Sequence, residues 1–355
     1  IGCVQKYSKG PKLVNKENEV KTEYNFCGES ADPESFDVSL WQRYIKNALR
    51  QKDRLLTYSQ TQGEYDLRCA ISKYIREKRN VTASPDRIVI GAGVGVLLNI
   101  LASLFEKDKT VSFPDKSFVQ GIGIFQDNGF TVHTRDKNAD IIYVSPSHMT
   151  RWGDVMKNKR RLELVEYSFK NNSTVIEDDY ENDFMYNVKP TPALFTLGHG
   201  NVIYIGSFSA MLLPGIRISF MVLNKELAEI FNKNKYKFAQ TASKTEQIAL
   251  CQYIRDGHIN SQTRKIRRLY SNKTKNFYSI LKNEFPNANI SISENTLQIK
   301  MSVKFDKDIK VFEENSISLF VEKYENGVIT IVLSPSGIPS SKLLKAAKTL
   351  KKAIN

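Results

Sequence analysis

The residues best equipped for chemistry in this 355-residue chain crowd into one stretch, 175–217. Glu177-Asp178-Asp179-Tyr180 sets carboxylates beside a phenol, Gly206-Ser207-Phe208-Ser209 spaces two hydroxyls by one residue, and Arg217 follows soon after. Such a set suits a ligand with three handles: a ring nitrogen that can be protonated, a phenolic oxygen and a phosphate. A buried carboxylate favours a neighbouring cation, and a guanidinium grips a phosphate through charge-assisted hydrogen bonds.

Chemistry of that kind needs the two polar groups side by side. The runs 173–176 and 202–205 are short, rich in β-branched residues and bounded by turn residues, which predicts buried strands of a mostly parallel sheet. Their polar ends then fall on the carboxyl edge, where open α/β sheets bind ligands.

This stretch resembles the pyridoxal-phosphate segment of fold type I aminotransferases. More narrowly, it resembles the aminotransferase-like domain of MocR-type transcription regulators in the GntR superfamily. That pattern runs (I/V)-E-D-D-Y-D-x-E-F, then Pro-Ala-Leu, then V-I-Y-x-G-(T/S)-F-S-K-x-L-x-P-x-(L/I)-R. The chain matches it at Ile176-Glu177-Asp178-Asp179-Tyr180, Phe184, Pro192-Ala193-Leu194, Val202-Ile203-Tyr204, Gly206-Ser207-Phe208-Ser209, Leu212, Pro214 and Arg217. Tyr143-Val144-Ser145-Pro146-Ser147-His148 is similar to the Y-V-T-P-S-H that sets MocR-type chains apart, although Met149-Thr150-Arg151-Trp152-Gly153 replaces the usual Q-x-P-x-G.

The resemblance implies an α/β, fold type I architecture: a large lobe on a mostly parallel central sheet and a smaller α+β C-terminal lobe. Residues 1–35 are expected as a linker and N-terminal arm, 36–244 as the large lobe and 245–355 as the small one. It also implies roles. Asp178 would keep the pyridine nitrogen protonated, Tyr180 would bond the ring's phenolic oxygen with His148 on the same side, and Ser207, Ser209 and Arg217 would take the phosphate. Phe118, after Pro114-Asp115, would stack on the ring. Tyr58, five residues before the glycine turn at Gly63 as in the family's Y-x-x-x-x-G, would reach the phosphate bound by the other subunit of a homodimer.

A glycine-rich turn offers a further contact for the same phosphate, where the family's T-x-G-x-Q-x-A-L is matched only at Gly93 and Leu98. Gly91-Ala92-Gly93-Val94-Gly95 lies between a strand and an apolar helix, and free backbone N–H groups at a helix N-terminus attract phosphate. Gly93, Val94 and Gly95 would supply those amides.

One departure is decisive. The family's Schiff-base lysine falls on Ala210, which has no amine to form that bond or to shuttle a proton. Catalysis is therefore not expected, and pyridoxal 5'-phosphate would be held noncovalently or as an external aldimine with an amine. The intact surroundings favour an engineered Lys→Ala exchange over natural loss or a mistaken resemblance. Near the place of the usual carboxylate-clamping arginine the chain reads Asn326-Gly327-Val328-Ile329-Thr330, so the effector is an amine, an amino acid read by other groups, or the cofactor alone.

Composition sets the outer bounds. At 355 residues the chain exceeds the size, about 250–300 residues, at which single cores tend to split. Four scattered cysteines, no CxxC pair, no leader and no apolar run near the roughly 20 residues of a membrane helix point to a cytoplasmic protein without membrane contact. The net charge of +14 is spread, with its densest groups at helical spacing beside apolar residues, which argues for solvated helix faces.

The leading expectation is thus the effector-binding, dimerisation part of a MocR-type regulator whose winged helix-turn-helix domain, contacting DNA, would precede Ile1. A pyridoxal-phosphate aminotransferase inactivated by loss of its lysine is the alternative. A basic nucleic-acid-binding protein with a decayed pocket is the third.

Overall fold

A computed structural model describes residues 22–28, 30–150, 152, 154–180, 191–198, 200–293 and 296–355. Phe184, Arg151 and Gly153, each part of a motif above, lie outside the described residues, as does the arm before residue 22.

Strands in chain order are β1 (Tyr24–Asn25), β2 (Ile88–Gly91), β3 (Thr110–Phe113), β4 (Thr131–Thr134), β5 (Ile141–Val144), β6 (Thr174–Asp178), β7 (Val202–Ser207), β8 (Ser219–Val222), β9 (Asn289–Ile292), β10 (Ile299–Lys304), β11 (Ile317–Ser318), β12 (Phe320–Glu325) and β13 (Val328–Leu333). The larger sheet has the order β2-β8-β7-β6-β5-β3-β4. Only β8 runs against its neighbours there. Sequence-adjacent parallel strands need crossovers, and helices such as Asn158–Lys170 between β5 and β6 provide them.

Alternation along each strand builds two cores. In β2, Ile88 and Ile90 enter one cluster with Tyr204, Phe220 and Val222. Val89 enters the other with Ile203, Ile205 and Met221. A parallel sheet covered on both faces reads as continuous apolar sequence, which is why these strands are legible.

On the first face the helix Val38–Leu49 starts at Asp37, whose carboxylate accepts from Leu40 N at 2.9 Å. Its buried Trp41 and Tyr44 pack edge-on against Tyr253 of the helix Lys244–Arg255, with centroids 5.8 and 5.5 Å apart.

The smaller sheet has the order β12-β13-β10-β9, antiparallel throughout. Ile299, Met301, Ile329, Ile331 and Leu333 turn one face toward the helices His258–Glu284 and Leu343–Ile354. Within the segment read as an N-terminal arm, Tyr24 and Phe26 are fully buried in this same cluster, and β1 pairs with β11. Asp32 forms a buried ion pair with Lys273, so the segment is fastened to the long helix as well.

Candidate functional site

The sheet register gathers the chemistry along one edge. Gly91 pairs with Ser219, Ser219 with Ser207, and Asp178 with Ile205. Ser207 stands two residues beyond Asp178's level on the adjacent strand, which puts the two Cα atoms about 8 Å apart for strands about 4.8 Å apart and rising about 3.3 Å per residue. The ends of β3 and β5 lead from the same edge to Phe118 and His148.

The anion end is built around a missing side chain. Gly93 has φ +100° and stands at the N-cap of the helix Val94–Leu104, where it offers no side chain to the helix's first amides. A Cβ placed on Gly93 would collide with Arg217 Nη2, so the guanidinium lies directly against the turn. Arg217 reaches it from a left-handed backbone, φ 51°, just after Pro214–Ile216. Val94 and Gly95 open the helix, and a Cβ on Gly95 would stand 2.8 Å from Gln120 Nε2. Thr241 Oγ1 accepts from Ala92 N at 3.0 Å, which seats the basic 233–244 stretch beside the turn.

The serines divide. Ser207 Oγ accepts from Ser219 Oγ at 2.9 Å and from Ser209 N at 3.3 Å. Ser209 Oγ is buried and has no hydrogen-bond partner among the described residues. A buried hydroxyl left so is costly unless a ligand completes it. The orphaned hydroxyl, the guanidinium on Gly93 and the open helix N-terminus together fit a phosphate. Ala210, next in the chain, is exposed.

The ring end is an acid backed by aromatic groups. Asp178 is 5% exposed, and Tyr143 OH donates to its Oδ2. Burial, then the Asp178 charge, pushes the Tyr143 hydroxyl well above its ordinary pKa, so it remains a donor. Phe118 lies 5.4 Å from the Tyr143 ring. Tyr180 and His148, both half-buried, face each other at 5.1 Å.

Asp179 turns to the opposite face, as the next residue of a strand end does. Its carboxylate accepts from Arg79 Nε at 2.6 Å, Ser147 Oγ at 2.9 Å and Tyr204 OH at 2.8 Å. Burial works against the Arg79 charge, yet Asp179 beside it raises the guanidinium above its usual range. A small cavity of about 30 Å³ lies here, lined by Tyr74, Arg79, Asp179, Tyr204 and Ser207.

Glu177 is fully buried and accepts from Leu194 N at 2.8 Å and Phe195 N at 2.9 Å, capping the short helix Leu194–Leu197. Burial, with the Asp179 charge second, pushes it up to about 7 from 4.5. A raised folded-state pKa means that the folded chain holds the proton longer. Glu177's contribution is therefore full below about 4.5 and is lost as pH rises through about 7. Stability should fall across that window by at most about 1.4 kcal/mol per pH unit from this group. Urea unfolding of Glu177→Gln against the unaltered chain checks it: the difference between them should shift toward the glutamine as pH rises, and a pH-independent difference would contradict the assignment.

Of the residues expected from sequence, Gly93 and Arg217 are in contact, and Val94 and Gly95 open the helix that has Gly93 at its N-cap. Ser207 and Ser209 are bonded to each other at the end of β7, with Ala210 next and exposed. Phe118 and Asp178 meet through Tyr143, and His148 and Tyr180 pack together. Tyr58 is fully exposed, at 103%, and adds nothing to the site of its own chain. Sequence reasoning missed Tyr143, Arg79 and Gln120 as members of the arrangement. Tyr143 had a signal, since it stands on the strand beside Asp178, in register with Ile176.

Gly93→Ala should destabilise the chain by about 1–3 kcal/mol, because this backbone region is almost confined to glycine, and should also displace Arg217. Thermal unfolding reads the first effect and phosphate-competed ligand binding the second.

Comparison with known proteins follows the same outline. The family model for aminotransferase class I and II matches residues 29–312. The HTH-type transcriptional regulator YhdI of Bacillus subtilis is 32% identical over 325 residues, covering 87% of this chain and 68% of that protein. YdeL of the same organism, also described as an HTH-type transcriptional regulator, is 31% identical over 259 residues, 69% of this chain and 56% of its own length. The chain thus spans little more than half of YdeL. An archaeal alanine:glyoxylate aminotransferase superposes with TM-score 0.80 at 20% identity, over 93% of this chain and 90% of that one, a likeness of fold.

Proposed function

Because the chain belongs to the class I and II aminotransferase family, in its MocR-type regulator branch, we infer that it is the ligand-sensing part of a transcription regulator. Its ligand is pyridoxal 5'-phosphate, alone or with a small amine. The observation that carries this reading is the contact of the Arg217 guanidinium with the Gly93 turn, at the sheet edge where β7 leads to the partnerless Ser209 hydroxyl beside the buried Asp178 that ends β6.

When bound, pyridoxal phosphate supplies a cationic ring and an aldehyde that takes up primary amines. The chain's residues do the rest. Arg217, Ser209 and the amides of Val94 and Gly95 hold the phosphate, and Asp178 keeps the ring nitrogen protonated. Phe118 covers one ring face, while Tyr180 and His148 line the phenolic side. Ala210 offers no amine, so the chain binds rather than transaminates.

Thr330 of β13 bonds Ser302 at 2.9 Å, and this strand carries no arginine. That favours an amine without a carboxylate as effector. We place the lobe boundary within the long helix His258–Glu284 rather than at residue 244, because Ile248, Leu250, Tyr253, Ile259 and Ile266 pack in the large lobe's core and Phe277 and Leu281 in the small lobe's. We assign Tyr58 to the site of a second copy in a homodimer. A DNA-binding head preceding this chain would read the change in dimer geometry.

A titration with pyridoxal phosphate tests the reading. Asp178→Ala should weaken binding at least tenfold, since a hydrogen bond to a charged group contributes about 1.5–3 kcal/mol. Equal affinity in the variant would remove Asp178 from the site.

A further inference from the structure

Among the described residues, Tyr143 touches both Asp178 and the rings of Phe113 and Phe118. Its hydroxyl donates to Asp178 Oδ2. Its ring is stacked on Phe113, centroids 4.9 Å apart at 30°, and lies 5.4 Å from Phe118. Phe113 in turn packs edge-on against Phe125 at 6.0 Å, so this ladder of rings is anchored in the core. Tyr143 itself is 3% exposed.

We propose that Tyr143 is a positioning residue for the ring acid. Its hydroxyl, fixed between Phe113 and Phe118, aims Asp178 at the cofactor's ring nitrogen and favours the carboxylate's charged form. The inference deepens the proposed function and rests on its assignment of Asp178.

The physical chain is short. A hydrogen bond donated to a carboxylate stabilises the anion. In a buried site an anion held at a fixed angle stabilises a facing cation far more than one free to turn away. The seat of the phenol is set by the same phenylalanine that covers the ring. Stacking and protonation are therefore coupled through one side chain.

The test reads the ring nitrogen directly. Pyridoxal 5'-phosphate labelled with ¹⁵N in the ring is bound to the unaltered chain and to Tyr143→Phe, Phe113→Leu and Asp178→Asn, and its shift is followed against pH. Tyr143→Phe keeps the ring packing and should move the nitrogen's titration midpoint down by about one pH unit, a tenfold change in its proton equilibrium. Phe113→Leu loosens the seat but keeps the hydroxyl, and should move the midpoint less in the same direction; it carries the test if Tyr143→Phe does not fold.

Asp178→Asn should bring the midpoint to that of the cofactor free in water. A purely structural role for Tyr143 would lower affinity and leave the midpoint in place. Midpoints unmoved in both aromatic variants, with Asp178→Asn shifted, overturn the role of Tyr143 alone. An unmoved midpoint in Asp178→Asn overturns the reading of the site itself.

Discussion

Replacing Ala210 by lysine is expected to turn reversible binding of pyridoxal phosphate into covalent retention. The position follows the half-buried Ser209 and is itself exposed, so a long side chain has room there. It also stands seven residues before Arg217, whose guanidinium lies on the Gly93 turn. After borohydride reduction and denaturation, mass spectrometry should find the cofactor on residue 210 of Ala210→Lys and none on the unaltered chain. No adduct in the lysine variant would show that this residue does not face the cofactor. Turnover of an amino acid by the variant would favour the aminotransferase alternative, and covalent binding without turnover the regulator.

The largest loss of stability should come from Asp179. Its carboxylate collects Arg79, Ser147 and Tyr204, and the Arg79 and Asp179 side chains are only 6% and 1% exposed. Asp179→Ala leaves a guanidinium buried without its counter-charge, which costs about 3–5 kcal/mol. Replacing both members with apolar residues, Arg79→Met with Asp179→Leu, should cost less than Asp179→Ala alone, because no charge is then stranded. Urea unfolding distinguishes these cases. A loss below about 1 kcal/mol in Asp179→Ala, the ceiling typical of exposed pairs, would mean that water reaches the pair after all.

Asp178 and Asp179 thus do opposite work from adjacent positions. One faces the edge where the ligand is proposed to bind. The other locks the strand end to the helix Tyr65–Arg79, so that its neighbour cannot drift. The doubled aspartate of the sequence motif pairs the acid proposed to face the ligand with one whose bonds are structural.

How far the sequence could be read follows from where each signal resides. β6 and β7 were legible because strands buried on both faces are uniformly apolar, and their polar ends announce the edge. Gly93 was legible as punctuation, since the signals of a turn at a helix start are local. β12 was not legible at its full length. It spans Phe320–Glu325, and its exposed Glu322-Lys323-Tyr324-Glu325 looked like loop because an edge strand carries charge to discourage further pairing.

The pairs across long separations were silent. Arg79 meets Asp179 and Tyr143 meets Asp178 only once the register of the sheet is known. The burial of Tyr24 and Phe26 depends likewise on β1 finding β11, a pairing no local pattern encodes.

The most direct measurement of the central claim is equilibrium dialysis of the unaltered chain against pyridoxal 5'-phosphate, repeated with Arg217→Gln and with Ser209→Ala. The account predicts one cofactor per chain, displaced by inorganic phosphate, with affinity reduced at least tenfold by loss of the guanidinium, a charge-assisted contact. Loss of the Ser209 hydroxyl should have a smaller effect in the same direction. Absence of binding by the unaltered chain, or binding indifferent to Arg217, would contradict it.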